Sequence, residues 1–332
     1  MNSFIQPSII NNYKNKIRNI GFELEFSNID LEKILEVLES EFNFEIKKEN
    51  NYFYKLNSKY GDFILELDFE LLTQQKLHTS AKKFSKHIGI QVNNKDIKLI
   101  EDFIGKLSKD IVPYEISTPP IPFDEISIID KIVKKLSDNN AKGTKYKIYY
   151  AFGLHINVEV ISLEVKSLLS YLRAYVILQD FINKDAKVDL ARKITPFIDN
   201  FKSEYIQYIL DKNYNPSEED FIKDYIKFNP TRNRSLDMLP ILGFMDESTV
   251  RDLLPDEKIK PRPAFHYRLS NSMIGYSNWE VSSEWNRWII VENLANDEKS
   301  LASLSKNYIK YLDCFINLES WEHKIEKWLK NH

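Results

Sequence analysis

The sequence predicts an α+β fold with a mostly antiparallel sheet. Two observations predict it. Strand-like runs are scattered among helix-like ones with no regular βαβ rhythm. Most of those runs also alternate apolar with polar residues, as strands do when one face of a sheet is buried.

The elements follow in order. Residues 20–26 form the first strand. A helix starts after Asp30, its N-cap, with Leu31, Ile34, Leu35 and Leu38 on one face. Residues 52–56 and 62–69 make a hairpin about a turn at 58–61. A helix covers 94–108, an extended stretch reaches Glu115, and Pro119 with Pro120 ends it. An amphipathic helix spans 124–137, and 147–160 is a cleanly alternating strand. Ser162 caps a long apolar helix to about residue 182, and a second helical stretch runs over 196–226. Residues 247–263, with Pro255, Pro261 and Pro263, read as a surface loop. A last strand covers 264–270, and 282–330 is helical throughout. The expectation is a single catalytic domain over 1–332, with a helical insertion at 162–226 and a helical C-terminal part.

At 43% hydrophobic and 29% charged residues the chain can bury a sizeable core. A net charge of -3 offers no electrostatic footprint for nucleic acid. Residues 1–16 lack a signal peptide's apolar segment, and no run reaches the roughly 18 apolar residues of a membrane span. With Cys314 as its one cysteine, the chain fits a reducing, cytoplasmic setting. Cys314 itself reads as a small core residue, and Trp279, Trp285, Trp288, Tyr308, Tyr311 and Trp321 as helix packing, part of which could serve a homo-oligomer interface. No GxGxxG, GxxxxGK[ST], HExxH, CxxC or GxSxG run occurs. Any nucleotide must therefore be held through metal ions and arginines rather than a glycine-rich backbone cradle.

Chemistry enters at period two, because side chains at i and i+2 share one face of a strand, about 6–7 Å apart. Glu23 and Glu25 oppose Phe22, Leu24 and Phe26, and Glu66 and Asp68 oppose Leu65, Leu67 and Phe69. Glu115 and Ser117 oppose Tyr114 and Ile116; His155, Asn157 and Glu159 oppose Leu154, Ile156 and Val158; His266 and Arg268 oppose Phe265, Tyr267 and Leu269. Any one such pair is an ordinary wet face. The repeated choice of Glu, Asp and His is not, because carboxylates gathered on one face repel unless cations sit between them. Arg232 and Arg234, in the segment 229–240, supply planar forks that match phosphate oxygens.

Taken in order, Gly21-Phe22-Glu23-Leu24-Glu25-Phe26, Gly61-Asp62-Phe63-Ile64-Leu65-Glu66-Leu67-Asp68, Pro113-Tyr114-Glu115-Ile116-Ser117-Thr118-Pro119-Pro120 and Phe152-Gly153-Leu154-His155-Ile156-Asn157 resemble the amidoligase family. Segments 229–240, 262–269 and 284–288 extend the likeness over residues 18–295. The family is similar to glutamine synthetase and glutamate–cysteine ligase, so the resemblance implies their curved antiparallel sheet and an ATP- and Mg2+-dependent (or Mn2+-dependent) carboxylate–amine ligase. It implies metal ligation by Glu23, Glu25, Glu66, Asp68, His155 and His266. Arg232, Arg234, His155 and Asn157 would meet the nucleotide. Arg268 and Arg232 would hold the transferred phosphoryl group, with Glu115 a candidate for the catalytic carboxylate. His266 departs from the glutamate that relatives in the wider superfamily often carry two residues before the last arginine, which puts the number and type of metals in question. The implied substrates are a small-molecule or peptide carboxylate and an amine. A guanidino-kinase-like phosphotransferase and a non-catalytic binding protein are the alternatives.

Overall fold

Strand β1 (Asn19–Phe26) shows the logic of the sheet in one run: Ile20, Phe22, Leu24 and Phe26 are fully buried, while Glu23 and Glu25 keep part of their surface. In the computed structural model, which describes residues 3–50, 53–67, 114–143, 152–186, 199–314 and 319–330, β1 lies in the middle of a nine-stranded sheet. The other strands are β2 (Glu45–Lys48), β3 (Phe53–Ser58), β4 (Gly61–Leu67), β5 (Tyr114–Ser117), β6 (Ile121–Pro122), β7 (Gly153–Glu159), β8 (Leu236–Asp237) and β9 (Ala264–Asn271). Their spatial order is β2-β3-β4-β5-β1-β7-β9-β8, with β6 paired to β1. Every pairing between these strands is antiparallel. The fold class is therefore α+β, as the sequence predicts. The β3–β4 hairpin turns where expected, with Gly61 at φ +118°, a backbone state that residues with a Cβ rarely adopt.

Ten helices accompany the sheet among the described residues. Helix α1 (Leu31–Phe42) starts after Asp30, though the Asp30 side chain makes no capping bond. Helix α2 (Ile128–Asp138) follows a short 3-10 turn at Phe123–Glu125 and so begins later than the pattern predicts. The 21-residue α3 (Val165–Asp185) opens at Val165; the Ser162 hydroxyl accepts from the Glu164 amide just before it. The predicted stretch 196–226 is two described helices, α4 (Ser203–Leu210) and α5 (Glu218–Phe228), separated by a turn.

Residues 247–263 are not all loop. After the short α6 (Leu239–Met245), Asp246 accepts a bond from the Thr249 amide at 3.0 Å and caps α7 (Glu247–Leu253). The C-terminal helical run divides into α8 (Val281–Asn296), α9 (Glu298–Asp313) and α10 (Trp321–Leu329), the last two opened by the caps Asp297 and Ser320. The predicted helix at 94–108 lies outside the described residues.

Helices α3 and α8 cover the apolar side of β9. Tyr171 stacks on Phe265 with ring centroids 4.9 Å apart, and Trp288 lies 5.5 Å from both Phe265 and Tyr267. Trp321 in α10 donates to the Ile177 carbonyl of α3 at 2.8 Å, and Tyr308 of α9 stacks on it at 4.5 Å. These aromatics are core, as expected, whereas Cys314 is exposed. Among the described residues no helix is long and apolar enough to cross a membrane.

Candidate active site

Register, which the sequence does not disclose, assembles the polar face. Glu115 is the cross-strand partner of both Glu66 and Glu25, so β4, β5 and β1 set three carboxylates side by side. Neighbouring strands lie about 4.8 Å apart, and like charges in that position repel. Glu115 Oε1 accepts from the Ser117 hydroxyl at 2.7 Å, and Glu25 Oε2 from the Gly153 amide at 2.7 Å.

Two residues along β1, Glu23 is paired with His155. Its Oε2 meets His155 Nδ1 at 2.8 Å and stands 3.5 Å from His266 Nε2, while its Oε1 accepts from Asn157 Nδ2 at 2.9 Å. One ligand atom from each of Glu23, His155 and His266 falls within 4.8 Å of the others. The two imidazoles meet edge-on with ring centroids 5.2 Å apart. Burial pushes the Glu23 carboxyl up, but attraction to His266 and the hydrogen bond to His155 outweigh it and hold Glu23 well below the usual carboxylate range. Burial drives His155 the other way, down to about 3, because Glu23 only partly offsets desolvation while Arg268 and His266 add to it.

A bulge lets β9 take part. Above it Leu154 pairs with Ser270; continuing that register unbroken would set Ile156 against Arg268. The shift between Leu154 and Ile156 sets Ile156 against Tyr267 and Asn157 against His266 instead, so apolar meets apolar and polar meets polar. Beyond β9, β8 places Asp237 opposite His266, with Asp237 Oδ2 3.7 Å from His266 Nδ1.

Arginines border this end of the face. Arg262 donates twice to Asn157 Oδ1, at 3.2 and 2.6 Å. Arg268 donates to the backbone carbonyl of Arg232. Burial lowers the pKa of both Arg262 and Arg268. Glu23 and Asp237 offset part of that, and the nearby Arg232 charge adds to the lowering. Crowded cations with buried guanidiniums suit an anion.

The structure thus brings together Glu23, Glu25, Glu66, Glu115, His155, Asn157, His266, Arg232 and Arg268. Arg234 is elsewhere. It donates to the Asn200 carbonyl at 2.8 Å and lies over the Phe201 ring, among Tyr205 and Tyr225 on the helix side of the sheet. Asp68 lies outside the described residues. Two members of the cluster escape the period-two reading. Arg262 is in phase with His266 and Arg268, but Pro263 reads as a strand end between them; Asp237 sits in a strand of two residues, too short to show alternation.

The family model described as "Putative amidoligase enzyme" matches residues 16–290. The chain belongs to the amidoligase family. No curated protein matches it. The matched span holds every residue of this amidoligase's polar face, from Glu23 to Arg268. Membership makes the protein an enzyme of the ligase type that forms amide bonds. The donor set is consistent with a bound divalent cation: carboxylates and imidazoles converge, and the buried His266 Nε2 has no hydrogen-bond partner.

Proposed function

We propose that this amidoligase is an ATP-dependent carboxylate–amine ligase with a glutamine-synthetase-like catalytic fold, working through an acyl phosphate. The observation that carries this reading is the division of one sheet face. Carboxylates of Glu66, Glu115, Glu25 and Glu23 occupy β4, β5 and β1, and Arg232, Arg262 and Arg268 border the β9 end. A nucleoside triphosphate with its Mg2+ or Mn2+ carries both signs and can span such a face. Glu23, Glu25, Glu66, Glu115, His155 and His266 would hold the metal, which when bound neutralises charge on the phosphates.

A carboxylate is a poor electrophile because its oxygen leaves badly, so activation comes first. A substrate carboxylate oxygen attacks the γ-phosphorus, the bond from that phosphorus to the bridging oxygen breaks, and ADP leaves. The amine nitrogen then attacks the acyl carbon, the C–O bond to phosphate breaks, and inorganic phosphate leaves. The nitrogen gives up a proton, which a carboxylate of this face takes up. Arg232 and Arg268 steady the transferred phosphoryl group in both steps, so the protein acts mainly by positioning and charge neutralisation.

The test is ADP release from Mg-ATP with pooled carboxylates, with and without pooled amines. The reading expects release that needs the acid, rises with the amine and is lost in Glu23→Gln. A stable phosphorylated product formed without amine overturns it in favour of a phosphotransferase. Absence of Mg-ATP binding by calorimetry would remove the nucleotide from the scheme altogether.

A further inference from the structure

The two halves of the acidic region differ in donor chemistry. Glu66, Glu115 and Glu25 offer oxygens alone. Glu23, His155 and His266 offer one carboxylate and two imidazoles, with ligand atoms within 4.8 Å of one another. Mg2+ demands oxygen ligands in near-ideal octahedral geometry, whereas imidazole suits first-row transition ions.

Second contacts support a ligand role for two of these side chains, His266 and Glu23. His266 is 4% exposed, its Nε2 has no hydrogen-bond partner, and that atom stands 3.5 Å from Glu23 Oε2. The opposite ring nitrogen, Nδ1, faces Asp237 Oδ2 at 3.7 Å, and that carboxylate oxygen is likewise buried without a hydrogen-bond partner. A carboxylate behind the far nitrogen of an imidazole is the usual means of orienting a metal-binding histidine. Glu23 is oriented too, through Asn157, whose amide oxygen is held twice by Arg262.

We infer that Glu23, His155 and His266 form a site selective for a first-row transition-metal ion such as Mn2+, Fe2+, Co2+ or Zn2+ over Mg2+, leaving the all-carboxylate row to Mg2+. The inference rests on reading this face as a metal platform. It needs no turnover, so its failure and that of the ligase reading are separable.

The experiment uses the full chain stripped with chelator. Mn2+ binding is followed by electron paramagnetic resonance during competition with Mg2+, without nucleotide, and the bound ion is examined for ¹⁴N couplings by a pulsed method. The expected result is one tightly held Mn2+ with couplings from two imidazoles, displaced only by Mg2+ in about hundredfold excess or more. His266→Gln should leave couplings from one imidazole and weaken Mn2+ at least tenfold, and Asp237→Asn should weaken it by about 10- to 100-fold with both couplings kept. Thermal melts confirm that each variant is folded, and His155→Gln provides a second ligand variant should His266→Gln fail to fold. Displacement by equimolar Mg2+, couplings from no imidazole, or Mn2+ binding unchanged in a folded ligand variant would each overturn the inference.

Discussion

Strand β1 and the residue before it send a charged group to each side of the sheet, and the two meet opposite fates. Arg18 points toward the helices, where it forms a two-pronged pair with Glu292 of α8 at 2.9 and 2.8 Å; both side chains are 1% exposed. Trp288 Nε1 adds a bond to Glu292 at 2.7 Å. Glu23 points the other way, into two imidazoles and an arginine border, where His266 Nε2 and Asp237 Oδ2 have no hydrogen-bond partner. On the helix side opposite charges pair directly through two bonds, which is how a fold keeps a buried ion pair, although Arg18 Nε has no hydrogen-bond partner. On the polar side buried polar atoms are gathered and left unsatisfied, which is common where a site is built for a ligand.

Breaking each cluster in turn separates these roles. Glu292→Gln leaves Arg18 charged and buried, and should cost about 3–5 kcal/mol of stability in urea denaturation. Replacing both partners, as in Arg18→Met with Glu292→Leu, should recover most of that loss, because no buried charge remains. On the polar side, Glu23→Gln keeps an oxygen for Asn157 but removes the charge between the imidazoles. ADP release should fall by about 10²–10³-fold or more, the order expected when a preorganised charge-stabilising group is removed, while the protein still folds. A loss of fold in Glu23→Gln with little loss in Glu292→Gln would invert the comparison.

Acid sharpens it further. The folded protein holds His155 neutral down to about pH 3, whereas the unfolded chain takes up that proton below about 6.5. The unfolded state therefore binds more protons across this window, and stability falls as pH falls. Glu23 adds to the loss at lower pH, because its folded pKa lies below the unfolded value. In metal-free buffer, unfolding free energies from urea titrations at pH 6 and pH 5 should differ by about one proton's worth, roughly 1.4 kcal/mol per pH unit, more in wild type than in His155→Gln. Parallel slopes would mean that His155 is not held neutral by the fold.

Much of this face is legible in the sequence because alternation is a property of single strands. Glu23 with Glu25 and His155 with Asn157 must share faces in pairs whatever the strands pair with. What alternation cannot supply is register between distant strands. Nothing in residues 264–271 shows that a bulge will bring their polar side chains to the side of those of β7, yet without it the two sets would fall on opposite sides. Helix ends are less legible in the sequence for a related reason. The caps of α7, α9 and α10 are single side chains, Asp246, Asp297 and Ser320, inside runs whose prolines or apolar spacing suggest something simpler.

Arg232 and Arg234 give the smallest and most discriminating test of that lesson. Two arginines two residues apart imply a shared direction only if the backbone between them is an extended strand. Here the segment bends as Ser235 and Asp199 join it to the chain near Phe201, with the Asp199 amide bonded to the Asn233 carbonyl and the Ser235 amide to the Asp199 carbonyl. Arg232 stays close enough to Arg262 and Arg268 to lower their pKa, while Arg234 spends its guanidinium on the Asn200 carbonyl. Arg234→Met should therefore cost about 1–2 kcal/mol in stability, the worth of a charged hydrogen bond less the packing that Met retains, with ADP release per folded molecule within twofold of wild type. Arg232→Met should do the reverse, leaving the urea midpoint nearly unchanged and raising the KM for ATP. Equal effects of the two substitutions on KM would place Arg234 at the nucleotide after all, and the contact with Asn200 would then belong to only one of its states.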